Sequence, residues 1–293
     1  MPLRAYIAER NHAILENGAR SIGHPMNHSI VYDRILGPAA PQLGWVPAPR
    51  YLLRRARILN SLENIAPCRV LEIGCGPGML LHEIGLRGFQ CTALESSAAA
   101  LSIAKKIAAD TGSSTEFLSD PGADWAGKFQ LVMAFEVLEH IEADEAVLAD
   151  WTSWLAPGGT LLLSVPAHQD RWNARDVWAG HVRRYERADL VSKVRQAGLE
   201  LESIECYGFP LANFLERAGD RRYKVDADGV ADAAARDINT ANSGIDRSRD
   251  AGWFPLLRSL PGKTAMQLAI LLQAPFLRTE WGNGYIVRAR KPA

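Results

Sequence analysis

At 293 residues the chain can hold one large domain, or a core domain with an appended subdomain. Lys plus Arg equals Asp plus Glu, 33 of each, so no global basic footprint exists for nucleic acid or an acidic membrane. The N-terminus mixes charges early (Arg4, Glu9, Arg10) around no apolar run, so no secretory signal is expected there.

Residues 1–60 read as a helical N-terminal lid, broken by Pro38, Pro41, Pro47 and Pro49 around Gly44-Trp45. From residue 69 to 207, strand and helix patterns alternate, the signature of a parallel sheet covered on both faces. Arg69 to Ile73 is a β-branched, apolar run that reads as a buried strand. It breaks into a turn with glycine at 74, 76 and 78, and the helical pattern Met79 to Ile84 follows. A strand that opens through glycines into a helix brings backbone N–H groups close to a nucleotide. A dinucleotide fingerprint wants its third glycine or alanine where this chain has Met79. Glu72, a carboxylate in an apolar strand, is costly to bury without a cationic or hydrogen-bonding partner. It suits the ammonium and sulfonium of S-adenosylmethionine (SAM) and would repel the diphosphate of NAD.

Gln90 to Leu94 is the second predicted strand and ends at Glu95; Ala98 to Ala108 follows as a helix. Ser114 to Leu118 is a short third strand, ending at Ser119-Asp120, and Phe129 to Ala134 is the fourth. Ala146 to Leu155 is a helix, with Pro157-Gly158-Gly159 as its stop, and Thr160 to Val165 is the fifth strand. A helix over 187–196 and a strand over 199–207 complete the core at 61–208. Residues 209–280 interrupt the alternation as a cap insertion. Within it, Gly219 to Asp250 carries seven aspartates and little periodicity, so a mobile lid or irregular loop is expected. Ala265 to Leu277, the longest apolar stretch, is interrupted by Gln267, Gln273 and Pro275 and falls short of the ~20 residues that span a bilayer. It reads as a cap helix whose apolar face, if exposed, would meet a lipophilic substrate or a membrane surface. Residues 281–293 return to the core through the strand Tyr285 to Arg290. The four cysteines (Cys68, Cys75, Cys91, Cys206) have neither metal nor disulfide spacing, so a reducing, cytoplasmic setting is expected.

Taken in order, these signals resemble the class I SAM-dependent methyltransferases over about residues 65 to 207 plus the last strand. The resemblance implies a doubly wound, seven-stranded Rossmann-like α/β sheet, parallel except for an antiparallel last strand. It also implies that Glu72, Gly74, Cys75, Gly76, Gly78, Glu95, Ser96, Asp120, Phe135 and Glu136 hold the cofactor. Glu95, 21 residues after Gly74, would accept from the ribose hydroxyls, and Asp120 would face the adenine amino group. Arg50-Tyr51 resembles an N-terminal lid whose guanidinium meets the methionine carboxylate.

A narrower resemblance lies in Glu136-Val-Leu-Glu139-His140 together with His181 in Gly180-His-Val-Arg-Arg-Tyr185. The pattern is similar to the ubiquinone-pathway O-methyltransferases and the small-RNA 3′-end 2′-O-methyltransferases, both metal-dependent. If 136–140 form a helical turn, Glu136 shares a face with Glu139 and His140. With His181 these would make an O/N site for Mg²⁺, Mn²⁺ or Zn²⁺. A metal-free His140 or His181 base and a purely packing role for the turn stay open beside it. His168 and Trp172 are weaker candidates, and Arg183-Arg184-Tyr185 reads as a tether of its loop, with contact to an anionic substrate as the alternative. The expected acceptor is a small molecule methylated at oxygen; no nucleic-acid partner is expected, and a homodimer is left open. The alternatives are an NAD-dependent oxidoreductase and a non-catalytic SAM-binding protein.

Overall fold

The structure, a computed structural model, describes residues 30–218 and 252–293. Its centre is a seven-stranded sheet. The strands are β3 (Arg69–Ile73), β4 (Gln90–Leu94), β5 (Glu116–Leu118), β6 (Phe129–Phe135), β7 (Leu155–Pro166), β8 (Glu200–Tyr207) and β9 (Gly284–Arg290). They lie in the order β5-β4-β3-β6-β7-β9-β8. Only β9 runs antiparallel, pairing with β7 on one side and β8 on the other, as the family resemblance implies for the last strand. The chain leaves β3 outward through β4 and β5, then crosses back to β6. The carboxyl ends of β3 and β6 therefore flank the point where strand order reverses, and open α/β sheets bind ligands in that crevice.

Period-2 alternation divides the core. Leu71, Ile73, Val132, Ala134, Leu161 and Leu163 face one side, under α4 (Asp144–Trp154) and α6 (Arg187–Gln196). Val70, Leu131, Met133 and Leu162 face the other, under α1 (Pro49–Leu62) and α2 (Met79–Gly85). Continuous apolar strands are what a sheet covered on both faces requires. Helix α3 (Ala98–Thr111) starts at Ser97, whose hydroxyl accepts from the Ala100 N–H.

Three sequence expectations differ from the structure. The described part of the N-terminal lid is not all helical: β1 (Val31–Asp33) and β2 (Gly37–Ala39) form a hairpin before α1. Pro157-Gly158-Gly159 does not separate α4 from its strand. Helix α4 ends at Trp154 and β7 begins at the next residue, with a register shift opposite Phe129 to Leu131 absorbing the turn. Finally, the cap helix begins earlier than the apolar run does. Helix α7 (Phe254–Arg258) leads into α8 (Leu260–Gln273), capped by the Ser259 hydroxyl, and a 3₁₀ turn follows at Ala274–Phe276. The acidic stretch Gly219 to Asp250, like residues 1–29, lies outside the described residues.

The two flanks are joined. Trp45, Tyr51 and Leu53 from the first share one apolar cluster with Ala212, Phe254 and Met266 from the second, and Met79 of α2 completes it. Gln273 clamps the assembly, its amide donating to the Leu53 carbonyl while its oxygen accepts from the Gly208 N–H. Arg55 of α1 and Glu83 of α2 form a buried two-point ion pair, with Nε 2.6 Å from Oε2. Both flanks are thereby fixed over the helix that follows the glycine turn.

Candidate active site

The glycine turn is built by backbone conformation. Gly74, Gly76 and Gly78 all take positive φ, at 65°, 54° and 72°. A Cβ on Gly74 would also lie 2.5 Å from the Val137 side chain, so the β3 and β6 ends approach one another only because that position has none. Glu95 pins the turn: one carboxylate oxygen accepts from the Gly76 N–H and the other from Ser97 N–H, each at 2.8 Å. A carboxylate has further lone pairs, so both oxygens can still accept from a ligand.

Glu72 is buried, and its Oε2 has no hydrogen-bond partner. Burial pushes its pKa up to about 8 against the lowering effect of Arg54. The Cys75 thiol is held toward the Gly76 carbonyl, and burial raises its pKa well above the usual thiol range. Ser96 and Asp120 sit on exposed loops at the carboxyl ends of β4 and β5, where Asp120 accepts from the Ser119 hydroxyl. Phe135 is buried at the end of β6.

Past β6, the predicted helical turn does not form. Glu136 takes φ +57°, a strained conformation for a side chain with a Cβ, and a 3₁₀ turn covers only Leu138–His140. This separates Glu136 from the face occupied by Glu139 and His140, correcting the expectation that they share one. The Glu136 carboxylate turns toward α1. It lies 3.1 Å from Arg54 and 3.6 Å from Arg50, and accepts from the Ser164 and Tyr207 hydroxyls. Burial alone would raise its pKa; Arg54 and Arg50 outweigh that and hold it at about 2. Glu136 Oε1 takes both hydroxyls and Arg54, while Oε2 faces Arg50.

Glu139, His140 and His181 do come together, with ligand-type atoms all within 4.8 Å of one another. The two imidazoles meet edge to face, 4.8 Å between centroids. Glu139 is fully buried, and neither carboxylate oxygen has a hydrogen-bond partner. Burial, together with the charge on Glu136, drives its pKa well up. An unpaired buried carboxylate costs several kcal/mol (roughly 3–5 where a partner has been removed), so this group calls for a proton or a cation. His140 Nδ1 lies 3.3 Å from the Gly180 carbonyl, and burial lowers its pKa to about 4.

His181 is the best-supported of the three. Its Nδ1 meets the Asp176 carboxylate at 2.8 Å, which puts the proton on Nδ1 and leaves Nε2, 3.8 Å from Glu139, as the acceptor. Asp176 lies in α5 (Ala174–Ala179) and forms a capping box with Asn173, so its own helix orients it. It also takes a two-point ion pair from Arg184, which reaches on to Glu216. Arg184 therefore tethers its loop, as the sequence suggested, and Arg183 does so through Asp144. Asp176, Arg54, Ser164, Tyr207 and Glu216 were missed from sequence. The Asn-x-x-Asp capping box was the one local signal available for Asp176, and Arg54 is one turn along α1 from Arg50.

Known proteins resemble this chain in both sequence and architecture. A methyltransferase-domain profile matches residues 48–204, more than half of the chain. The chain belongs to that family. It is a class I SAM-dependent methyltransferase, which decides against the nicotinamide alternative. The ubiquinone biosynthesis O-methyltransferase of Xanthomonas axonopodis is 31% identical over 175 residues, 53% of this chain and 73% of the relative. That of Xanthomonas euvesicatoria is 29% identical over 167 residues, 51% and 70%. Among solved structures, phosphoethanolamine N-methyltransferase 2 of Haemonchus contortus, in complex with SAM, superposes with a TM-score of 0.52 at 14% identity. It covers 82% of this chain and 52% of that one. The 4+2 cyclase SpnF gives 0.51 at 16% identity, over 96% and 92% of the two chains. These likenesses show the shared fold, and a fold shared with a cyclase leaves the reaction to the site.

Proposed function

We propose that this methyltransferase acts on a hydroxyl oxygen of a small-molecule acceptor, prepared for attack by Glu139, His140 and His181. The observation that carries the reading is the Glu139 carboxylate, buried and unpartnered beside two imidazoles. A packing role for the turn would have left it hydrogen-bonded. The names of the Xanthomonas relatives also point to oxygen.

The turn fits SAM in the same terms. The unpartnered oxygen of Glu72 suits an ammonium group, and the positive φ of Gly74, Gly76 and Gly78 suits a turn whose backbone a ligand approaches closely. Cys75, Gly76, Gly78, Ser96 and Phe135 would complete the cofactor surface in this reading. In this reading Glu95 would accept from the ribose hydroxyls and Asp120 from the adenine amino group. Arg50, paired with Glu136 at 3.6 Å, is the assigned partner of the methionine carboxylate, and Glu136 acts through it. When bound, SAM supplies a methyl group made electrophilic by its positive sulfur. What remains for the chain is orientation, exclusion of water and handling of the acceptor proton.

One carboxylate and two imidazoles form a donor set that suits a divalent cation, Zn²⁺ or Mn²⁺ better than Mg²⁺. Such an ion would lower the acceptor's pKa. Its ligands would be Glu139, His140 and His181, without Glu136. The metal-free reading rests on Asp176: it fixes the His181 tautomer, so Nε2 can take the acceptor proton while the carboxylate stabilises the imidazolium. Under either reading H181A and E139Q lower turnover by about 10²–10⁴-fold with SAM affinity retained. Elemental analysis then separates them. Stoichiometric metal in the wild type, lost in both variants, supports the cation, and its absence supports the base. Full turnover in both variants would sink the proposal.

A further inference from the structure

Helix α8 is built the wrong way round for a helix packed on a protein core. Its inward face carries Gly262, Lys263, Met266, Ala269, Ile270 and Gln273, of which Met266 and Gln273 are buried. Its outward face is the more apolar one: Leu260, Leu268, Leu271 and Leu272 point to solvent, with Leu260 79% and Leu271 68% exposed. A globular surface helix has the opposite arrangement. The neighbours extend the face. Trp253 and Leu256 of the α7 segment are more than half exposed, as is Trp281, which stacks on Phe276 just past α8. Among the described residues, only Tyr32 and Leu86 are large exposed apolar side chains outside 211–281.

The charge of this stretch is equally one-sided. From Gly252 to Thr279 the charged residues are Arg258, Lys263 and Arg278, with no Asp or Glu, in a chain whose acids and bases balance. Asp33, from the hairpin, pairs with Lys263, while Arg258 and Arg278 stay exposed. Glu280, just beyond, is turned to Arg187 and Tyr285.

We propose that the α7–α8 face docks on the surface of an anionic lipid bilayer. Leu260, Leu268, Leu271 and Leu272 enter the interface, Trp253 and Trp281 sit at headgroup level, and Arg258 and Arg278 meet the lipid phosphates. A helix of this kind lies in the interface without crossing it, and among the described residues none is long and apolar enough to cross. A second copy of the chain fits less well. An isologous contact would set this acid-free surface against itself, leaving its arginines with no acidic partner. The inference does not depend on the acceptor or on the metal.

The test is co-sedimentation of the full chain with vesicles of phosphatidylcholine alone or enriched in phosphatidylglycerol, at low and high salt. Binding is expected to the enriched vesicles, to weaken with salt, and to fall by more than about tenfold in L268S/L271S/L272S. R258E/R278E is expected to lose the preference for anionic lipid. SAM affinity and melting temperature of these surface variants serve as controls for folding. Failure of the wild type to sediment with any vesicle overturns the proposal, and so does undiminished binding of the triple leucine variant. A wild-type dimer in sedimentation velocity that the leucine variant converts to monomer, without vesicle binding, would assign the face to a second copy instead.

Discussion

The two ends of the β3–β6 crevice are made differently. On the β3 side, the candidate site rests on backbone: three glycines at positive φ, held by a carboxylate 19 residues beyond Gly76 at the end of the adjacent strand. On the β6 side it rests on side chains gathered from α1, the 3₁₀ turn, α5, the loop to α6 and the helical residues 211–218. The first kind of site tolerates change around it and fails when a Cβ is added. The second fails when any member of a buried charge chain is removed, because its neighbours are left unpaired.

The largest effect that would sharpen this contrast is expected on the β6 side. R184M leaves Asp176 and the partly buried Glu216 without their cation, and should cost about 3–5 kcal/mol of stability, read as a fall in denaturation midpoint. A loss below 1 kcal/mol would mean that the network is not a unit. On the β3 side, G74A puts a Cβ at positive φ and 2.5 Å from the Val137 side chain, so it should cost about 1–3 kcal/mol of stability, read as a fall in denaturation midpoint, with SAM binding weakened alongside.

A protonation test sets the two carboxylates of the crevice against each other. With its pKa raised to about 8, Glu72 is protonated in the free protein at pH 7. Binding the cationic methyl donor favours the carboxylate form, so about one proton is released at that pH, fewer above pH 8. Calorimetry in buffers of different ionisation enthalpy reads this, and E72Q should abolish it. Glu136, at about 2, contributes none, since it is charged before and after binding. The smallest effect is expected from D120A. Its exposed side chain offers a single solvated hydrogen bond, so about 0.5–1.5 kcal/mol of SAM affinity is at stake.

The β3 side was legible in sequence because its determinants are local. The strand run 69–73, the glycines and the acid after the next strand lie within 27 residues, and each has a conformational or electrostatic signature. His181 and Glu139 were legible as candidates by their chemistry. Their company was not. Glu136 was expected beside Glu139 on a helical face, and the left-handed φ at Glu136 sends it to Arg50 and Arg54 instead. Nothing within five residues of Glu136 encodes that choice, because the two arginines arrive from a helix more than 80 residues earlier.

The sequence by itself determined the order of strands and helices in the core and the glycine turn, while the antiparallel last strand followed from the family resemblance. Hydrophobic period and backbone preference act over a few residues, and a single chain displays them directly. The tertiary structure alone decided how charges are paired around Glu136 and Asp176, that the Glu139 oxygens have no hydrogen-bond partner, and that both flanks share one cluster. It also decided that the leucines of α8 face outward. Pairing and exposure depend on which surfaces meet after the chain has closed on itself, and local patterning carries no record of that.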